Sequence, residues 1–320
     1  MINHMPKSSF FASFTRKIAA LRCTSPPGAG RKANGRPPRL SVRDLIAGLA
    51  WHVLQPAGTF SHHLALFIGL EMSDSSLSER RQSLGTAPWL KALDAFLKPH
   101  ADPKLPPHAF YQGLPLVGID GTTMNVANTP SIKASTVKTK TRRGKAAFHR
   151  IGSVAAVELG THSPIALRIG ELGESEGALA ASIVSVFGED DLILGDRYYG
   201  NGKNGARLLS LPNKPKFLVR VQERFKAVTV KKLKDGSKLV KVKDPDSGEY
   251  ILLRQIKAKI RRPGKPCVKI RLWTNLLDPS QYPAKELVQL YAMRWEQEIA
   301  FREIKEHLHD SNVLLSHTVV

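Results

Sequence analysis

The pattern of hydrophobic and polar positions changes twice along the chain, and each change marks a different kind of structure. From Ser41 apolar residues recur at helical spacing through Leu45-Ile46-Ala47-Gly48-Leu49-Ala50-Trp51-His52-Val53-Leu54, and again over 61–69, 74–84 and 87–97. Pro56-Ala57-Gly58, Ser73 and Gly85 break these runs. The spacing predicts a small helical domain over 40–105, entered through Ser41-Val42-Arg43-Asp44, a capping box without its preferred Glu.

From Leu114 the period shortens to two. Leu114 to Val126 reads as a strand with Leu116, Gly118 and Asp120 on one face and Val117 and Ile119 on the other. Residues 147–159 and 163–169, separated by the turn Gly160-Thr161-His162, add two strands that can form an antiparallel unit with the first. A helix opening in Gly173-Glu174-Ser175-Glu176-Gly177 and running to about Phe187 follows, then Asp191-Leu192-Ile193-Leu194-Gly195-Asp196, whose apolar run is too short for a helix. It reads as a strand buried on both faces and ending at Asp196. A short helix over 204–211 and a strand over 216–222 give the order β-β-β-α-β-α-β. Residues 223–282 interrupt it: 228–242 alternate around Asp235-Gly236, a hairpin signal, and 250–260 and 267–275 alternate similarly.

The third texture is the run from Ala284 to Leu308, which contains neither Gly nor Pro and favours helix. At about 100° per residue, Tyr291, Arg294, Glu298 and Lys305 fall within an arc of roughly 60°. Leu290, Met293, Phe301, Ile304 and Leu308 fill the adjoining arc. Glu298 therefore belongs at the rim of the core, where a carboxylate needs a partner or a metal. Asp120, Asp196 and Glu298 would sit on two strands and a late helix. Hard divalent cations take such oxygen ligands, and paired ions suit in-line phosphoryl displacement.

Composition narrows the partner. A chain of 320 residues supports a substantial core, and its net charge of +21 points to polyanions. Residues 1–39 are basic, with Pro and Gly clustered between Pro26 and Pro38, and read as a flexible arm. Within it Gly35-Arg36-Pro37-Pro38-Arg39 resembles a minor-groove hook, so Arg36 and Arg39 are candidate DNA contacts. Arg142 and Arg143 lie in a basic stretch from Val126 to Lys145, and Lys231 and Lys232 on the lysine-rich insert. These are candidate phosphate contacts too. No run of about 20 apolar residues exists, so no membrane span is expected. Cys23 and Cys267 have no metal spacing, and the eleven His are scattered, which disfavours zinc. A reducing cytoplasm, with the protein at the nucleoid, is the expected location.

Tyr291, Arg294, Glu298 and Lys305 reproduce the Y-(2)-R-(3)-E-(6)-K signature of DDE-type insertion-sequence transposases of family four, and the chain resembles that family from about Leu40 onward. Ile119-Asp120-Gly121-Thr122 and Gly195-Asp196-Arg197-Tyr198 are similar to its two aspartate segments. The resemblance implies an α/β fold: a ribonuclease H-like mixed sheet with an inserted β-rich subdomain and an N-terminal helical domain. The strand and helix order above is what that fold requires. The expected divisions are 1–39, a basic arm; 40–105, a helical domain binding transposon ends; 110–222, the first part of the catalytic core; 223–282, the insert; and 283–320, the last core helix.

The resemblance further implies two Mg²⁺ or Mn²⁺ ions held by Asp120, Asp196 and Glu298, with Tyr291, Arg294 and Lys305 steadying DNA phosphates. It implies a homodimer acting on transposon terminal repeats and target DNA, cleaving and joining phosphodiester bonds. Two alternatives stay open: a ribonuclease H-like nuclease that cuts without strand transfer, and a truncated, inactive DNA-binding remnant. The second arises because the resembled family continues with further helices beyond its signature, whereas this sequence stops soon after Lys305.

Overall fold

A computed structural model describes residues 39–55, 57–102, 104, 107–135, 140–141, 144–170, 174–260 and 267–307. Arg36 of the hook, Arg142 and Arg143 lie outside the described residues. The chain divides into two compact units, with the break at Leu97.

The first unit contains α1 (Val42–Val53), α2 (Phe60–Ile68), α3 (Asp74–Gln82) and α4 (Ala87–Phe96). The starts of α1, α2 and α3 follow from local capping, while α4 begins at Ala87-Pro88 with no side-chain cap bond. The hydroxyls of Ser41, Thr59 and Ser73 accept from the backbone N–H groups of Asp44, His62 and Ser76, satisfying donors that a helix start leaves free. Gly69, at φ 70°, ends α2 in a left-handed conformation open to glycine. Leu40, Leu45, Leu64, Leu77 and Leu84 form this unit's core.

The second unit is built on one 10-stranded sheet. Its core strands are β2 (Leu114–Val126), β5 (His149–Glu158), β6 (Pro164–Ile169), β7 (Leu192–Gly200) and β8 (Lys216–Val221), in spatial order β6-β5-β2-β7-β8. β5 runs antiparallel to β2 and to β6, while β7 is parallel to both β2 and β8. The parallel steps are bridged by α6 (Glu176–Ile183) and α7 (Gly202–Ser210). This is the ribonuclease H-like arrangement, a mixed α/β sheet, in the order expected from the sequence. A short strand β1 (Phe110–Tyr111) adds to the edge of β2. The basic stretch after β2 contains α5 (Pro130–Ser135) and a two-residue ladder of β3 (Lys140–Thr141) with β4 (Gly144–Lys145).

Period-two patterning assigns the two faces. Val117, Ile119, Ile193, Phe217 and Val219 pack with Leu179, Ala180 and Leu208 of the crossover helices. Leu116, Leu192, Leu194 and Leu218 pack on the other face, with Leu287 of α8 (Ala284–Leu290) and Tyr291. Fully burying each such side chain is worth about 1.5–3 kcal/mol.

The insert is strand-rich, as its alternation predicts, and its strands continue the core sheet. They are β9 (Val228–Lys232), β10 (Lys238–Lys243), β11 (Tyr250–Ile260) and β12 (Val268–Thr274), with β12 antiparallel to β8. Gly236, at φ 83°, turns the β9–β10 hairpin. Arg254 on β11 is fully buried and ties the insert down: it pairs with Asp235 and donates to the carbonyls of Leu276 (3.2 Å) and Tyr282 (2.7 Å). Asp235 in turn accepts from the N–H of Ala284 at 3.0 Å, the start of α8.

The late helical run is segmented. After α8 come a 3₁₀ turn over Tyr291–Arg294, α9 (Trp295–Arg302) and a π turn over Glu303–His307. This corrects the single regular helix used to project the signature residues onto one stripe. A 3₁₀ turn winds tighter than an α turn and a π turn looser, so uniform spacing does not hold across them.

Candidate active site

β2 and β7 pair in parallel, Gly118 opposite Leu194 and Ile119 opposite Gly195. The next rung of that register would bring Asp120 beside Asp196. Neighbouring strands lie about 4.8 Å apart. Alternation turns both aspartates to the α8–α9 face, the face of Leu116, Leu192 and Leu194. β7 does not stop at Asp196, as expected, but runs on to Gly200. Its ladder to β8 slips between Gly195 and Gly200, so Asp196 stands where the strand bulges away from its neighbour. Such bulges re-aim side chains.

The electrostatics reflect this crowding. Burial, and then the Asp196 charge, push the Asp120 carboxyl up to about 7, against the opposing effects of the Gly121 N–H and the Arg294 guanidinium. The Gly121 N–H donates to Asp120 Oδ1 at 2.8 Å. A carboxyl so penalised, next to a second carboxylate, belongs to a donor set that a hard divalent cation would satisfy.

The signature residues converge on these strands from the α9 side. Tyr291 is buried, and its hydroxyl donates to the carbonyl of Gly195 at 3.2 Å, one residue before Asp196. In this arrangement Tyr291 braces the aspartate strand, and the hydroxyl expected at a phosphate is engaged there. Arg294 donates to Glu298 Oε1 at 2.6 Å, an i,i+4 ion pair. Burial lowers the Arg294 pKa, but the bond to Glu298 outweighs it and the net shift is upward. Lys305 Nζ donates to Thr122 Oγ1, two residues beyond Asp120 on β2. Among the described residues no group of three metal-capable side chains closes, and Glu298 is turned to Arg294.

The helix comes this close because of Gly118. A β-carbon there would overlap Gln297 Oε1, and Gln297 is fully buried beside Glu298. The Gln297 amide donates to the Ala155 carbonyl at 3.4 Å.

Sequence reasoning missed Glu176 and Tyr199. Glu176, just inside α6, packs against Gly121 and accepts from the Tyr199 hydroxyl at 3.0 Å. Burial and the Asp196 charge raise its pKa, while the Tyr199 bond opposes them. The available signal was its place in Gly173-Glu174-Ser175-Glu176-Gly177, a capped helix start following a predicted strand.

A cleft of 1120 Å³ opens at Asp196 between the ends of β7 and β8 and the insert strands β11 and β12. Its walls carry Arg220, Arg224, Lys257, Lys259, Lys269 and Arg271. Arg271 is held by the carbonyls of Gln222 and Phe225. Arg39, Lys231 and Lys232 are exposed.

Adjacent acids on a ribonuclease H-like sheet, with a conforming signature helix packed over them, define the frame of a DDE-type transposase. The chain belongs to that family: the family described as Transposase DDE domain matches residues 111–315. It is also similar to transposase InsG for insertion sequence element IS4 of Escherichia coli (strain K12), 28% identical over 218 residues. That match covers 65% of this chain and 48% of the relative, so the chain spans about half the length of the curated relative it matches. Among solved structures, the piggyBac transposase synaptic complex with hairpin DNA aligns over 92% of this chain and 58% of that chain, at 14% identity and a TM-score of 0.44. No helix among the described residues is long and apolar enough to cross a membrane.

Proposed function

We propose that the chain cleaves insertion-sequence ends and joins them to target DNA, with Asp120, Asp196 and Glu298 as the metal-holding carboxylates. The observation that supports this reading is the pairing of β2 and β7 up to Ile119 and Gly195, whose next rung would set Asp120 beside Asp196 under the signature helix, with Asp196 at the mouth of a basic cleft. The three would hold two Mg²⁺ or Mn²⁺ ions. Bound there, such ions would make a water or a DNA 3′-OH more acidic and stabilise the leaving oxygen of an in-line displacement.

The protein's own part is positioning and charge. Arg294 neutralises Glu298 in this structure, and its planar fork suits a phosphate equally well. DNA entering the site would therefore take Arg294 and free the carboxylate. Lys305 at Thr122 adds a second cation on β2, two residues beyond Asp120. Tyr291 fixes Gly195 and so the origin of the bulge that presents Asp196. The cleft's Lys and Arg side chains would track the DNA backbone, and the helical unit over α1–α4 would engage the terminal repeats. A homodimer pairing two ends, acting at the nucleoid, completes the proposal.

Glu298→Gln tests it. The variant should bind end DNA close to wild-type affinity while losing cleavage with Mg²⁺. Intact cleavage by the variant would remove Glu298 from the site.

A further inference from the structure

We propose that His162 is a positioning residue that clamps the helix carrying Glu298, each ring nitrogen donating to a different carboxylate of that helical run. The proposal rests on the reading of Glu298 as part of the active site.

His162 lies in the turn between β5 and β6. Its Nε2 is 2.9 Å from Glu296 Oε2, and its Nδ1 is 3.1 Å from both oxygens of Glu303. Glu296 and Glu303 are two turns apart and lie on either side of Glu298 in sequence, so one imidazole spans the segment that presents it. The backbone is committed to this geometry. His162 has φ 56°, a left-handed conformation that a side chain adopts at a steric cost and that glycine would take freely. A histidine at such a position is explained by what its ring does.

A neutral imidazole has only one N–H, so serving both carboxylates requires the imidazolium. Burial opposes the charged ring, but the bonds to Glu296 and then Glu303 prevail and hold its pKa above the ordinary value. The ionisable groups facing the ring from the helix are Glu296 and Glu303. At the end of β5, where the turn begins, Glu158 is the acid, already accepting from the N–H groups of His100 and Ala101 and from the Thr161 hydroxyl. With the folded pKa raised, the clamp is complete below the unfolded value of about 6.5 and is lost as pH rises through the folded one. Above that point one ring nitrogen presents a lone pair to a carboxylate.

Hydrogen exchange of the segment 295–305, corrected for intrinsic rates, in wild type, His162→Gln and His162→Arg across this range tests the clamp. Wild-type protection should fall with rising pH, the Gln variant should lose roughly tenfold in protection at low pH, and the Arg variant should hold protection at every pH. A pH-independent wild-type profile, or an Arg variant no better than Gln, would overturn the clamp. As a second measurement independent of variant folding at position 162, the imidazole of wild-type protein should titrate above 6.5 by NMR and shift downward in Glu303→Gln; titration at or below the ordinary value would also overturn it. Cleavage of end DNA should follow the protection profile. Protection that changes while wild-type cleavage does not would overturn the positioning role, and intact cleavage by Glu298→Gln would instead place the failure in the functional reading.

Discussion

Gln297 fills the space that a β-carbon on Gly118 would occupy. Gly118 is two residues before Asp120 and Gln297 is next to Glu298, so this contact lets the last helix lie close to the aspartate strands; Leu159 borders the same space. Gly118→Ala should push α9 outward, since overpacking a filled site costs about 1–3 kcal/mol. Chemical denaturation should report that loss, and cleavage should fall further than the lost stability accounts for.

Asp120 makes the protein sensitive to pH in the absence of cation. Its raised pKa means that the folded state binds the proton more tightly than the unfolded chain does, so stability decreases as pH rises from the unfolded value toward about 7. With a chelator present, Asp120→Asn should raise the melting free energy by on the order of 1–3 kcal/mol at about pH 8 and by little at about pH 4. A thermal-melt series over pH checks the sign. Equal effects at both ends would remove the titration of the buried Asp120 carboxyl as its cause.

Arg254 is the buried fastener between the insert and α8. Removing it takes the guanidinium from Asp235 and the donor from the carbonyls of Leu276 and Tyr282, so Arg254→Ala should cost about 3–5 kcal/mol. Arg254→Lys should recover little, because a single ammonium cannot reach the same set of partners. Urea denaturation of the two variants would measure this.

Lys231 and Lys232 lie on β9, an exposed edge strand of the insert. If both touch phosphate, replacing them by Ala should weaken DNA binding to all sequences alike and lower the salt slope by about one unit per contact. Fluorescence anisotropy against salt concentration checks the slope, and an unchanged slope would place DNA elsewhere.

Much of the core was legible because it obeys short-range rules. The alternation of Leu116, Gly118 and Asp120 against Val117 and Ile119 is the alternation of two buried faces, and β2 spans the predicted limits. The apolar run of β7 was equally plain, but its continuation past Asp196 depends on a bulge against β8 that no local pattern encodes. The signature spacing located Arg294 and Glu298, yet the switch from 3₁₀ to α to π winding is set by packing against the sheet. Alternation marked the insert strands one by one. Their joining to β8 through β12 is a long-range pairing that only the folded sheet displays. Glu176 and His162 were missed for a similar reason: each meets its partners across elements far apart in sequence.

The most direct measurement is cleavage of supercoiled plasmid carrying the flanking end repeats, by purified chain with Mg²⁺ or Mn²⁺, beside Asp120→Ala. The account predicts cuts at the repeat ends that disappear in the variant while salt-sensitive binding persists. Cleavage undiminished by Asp120→Ala, or binding by the wild-type chain with no cleavage under either metal, would contradict it.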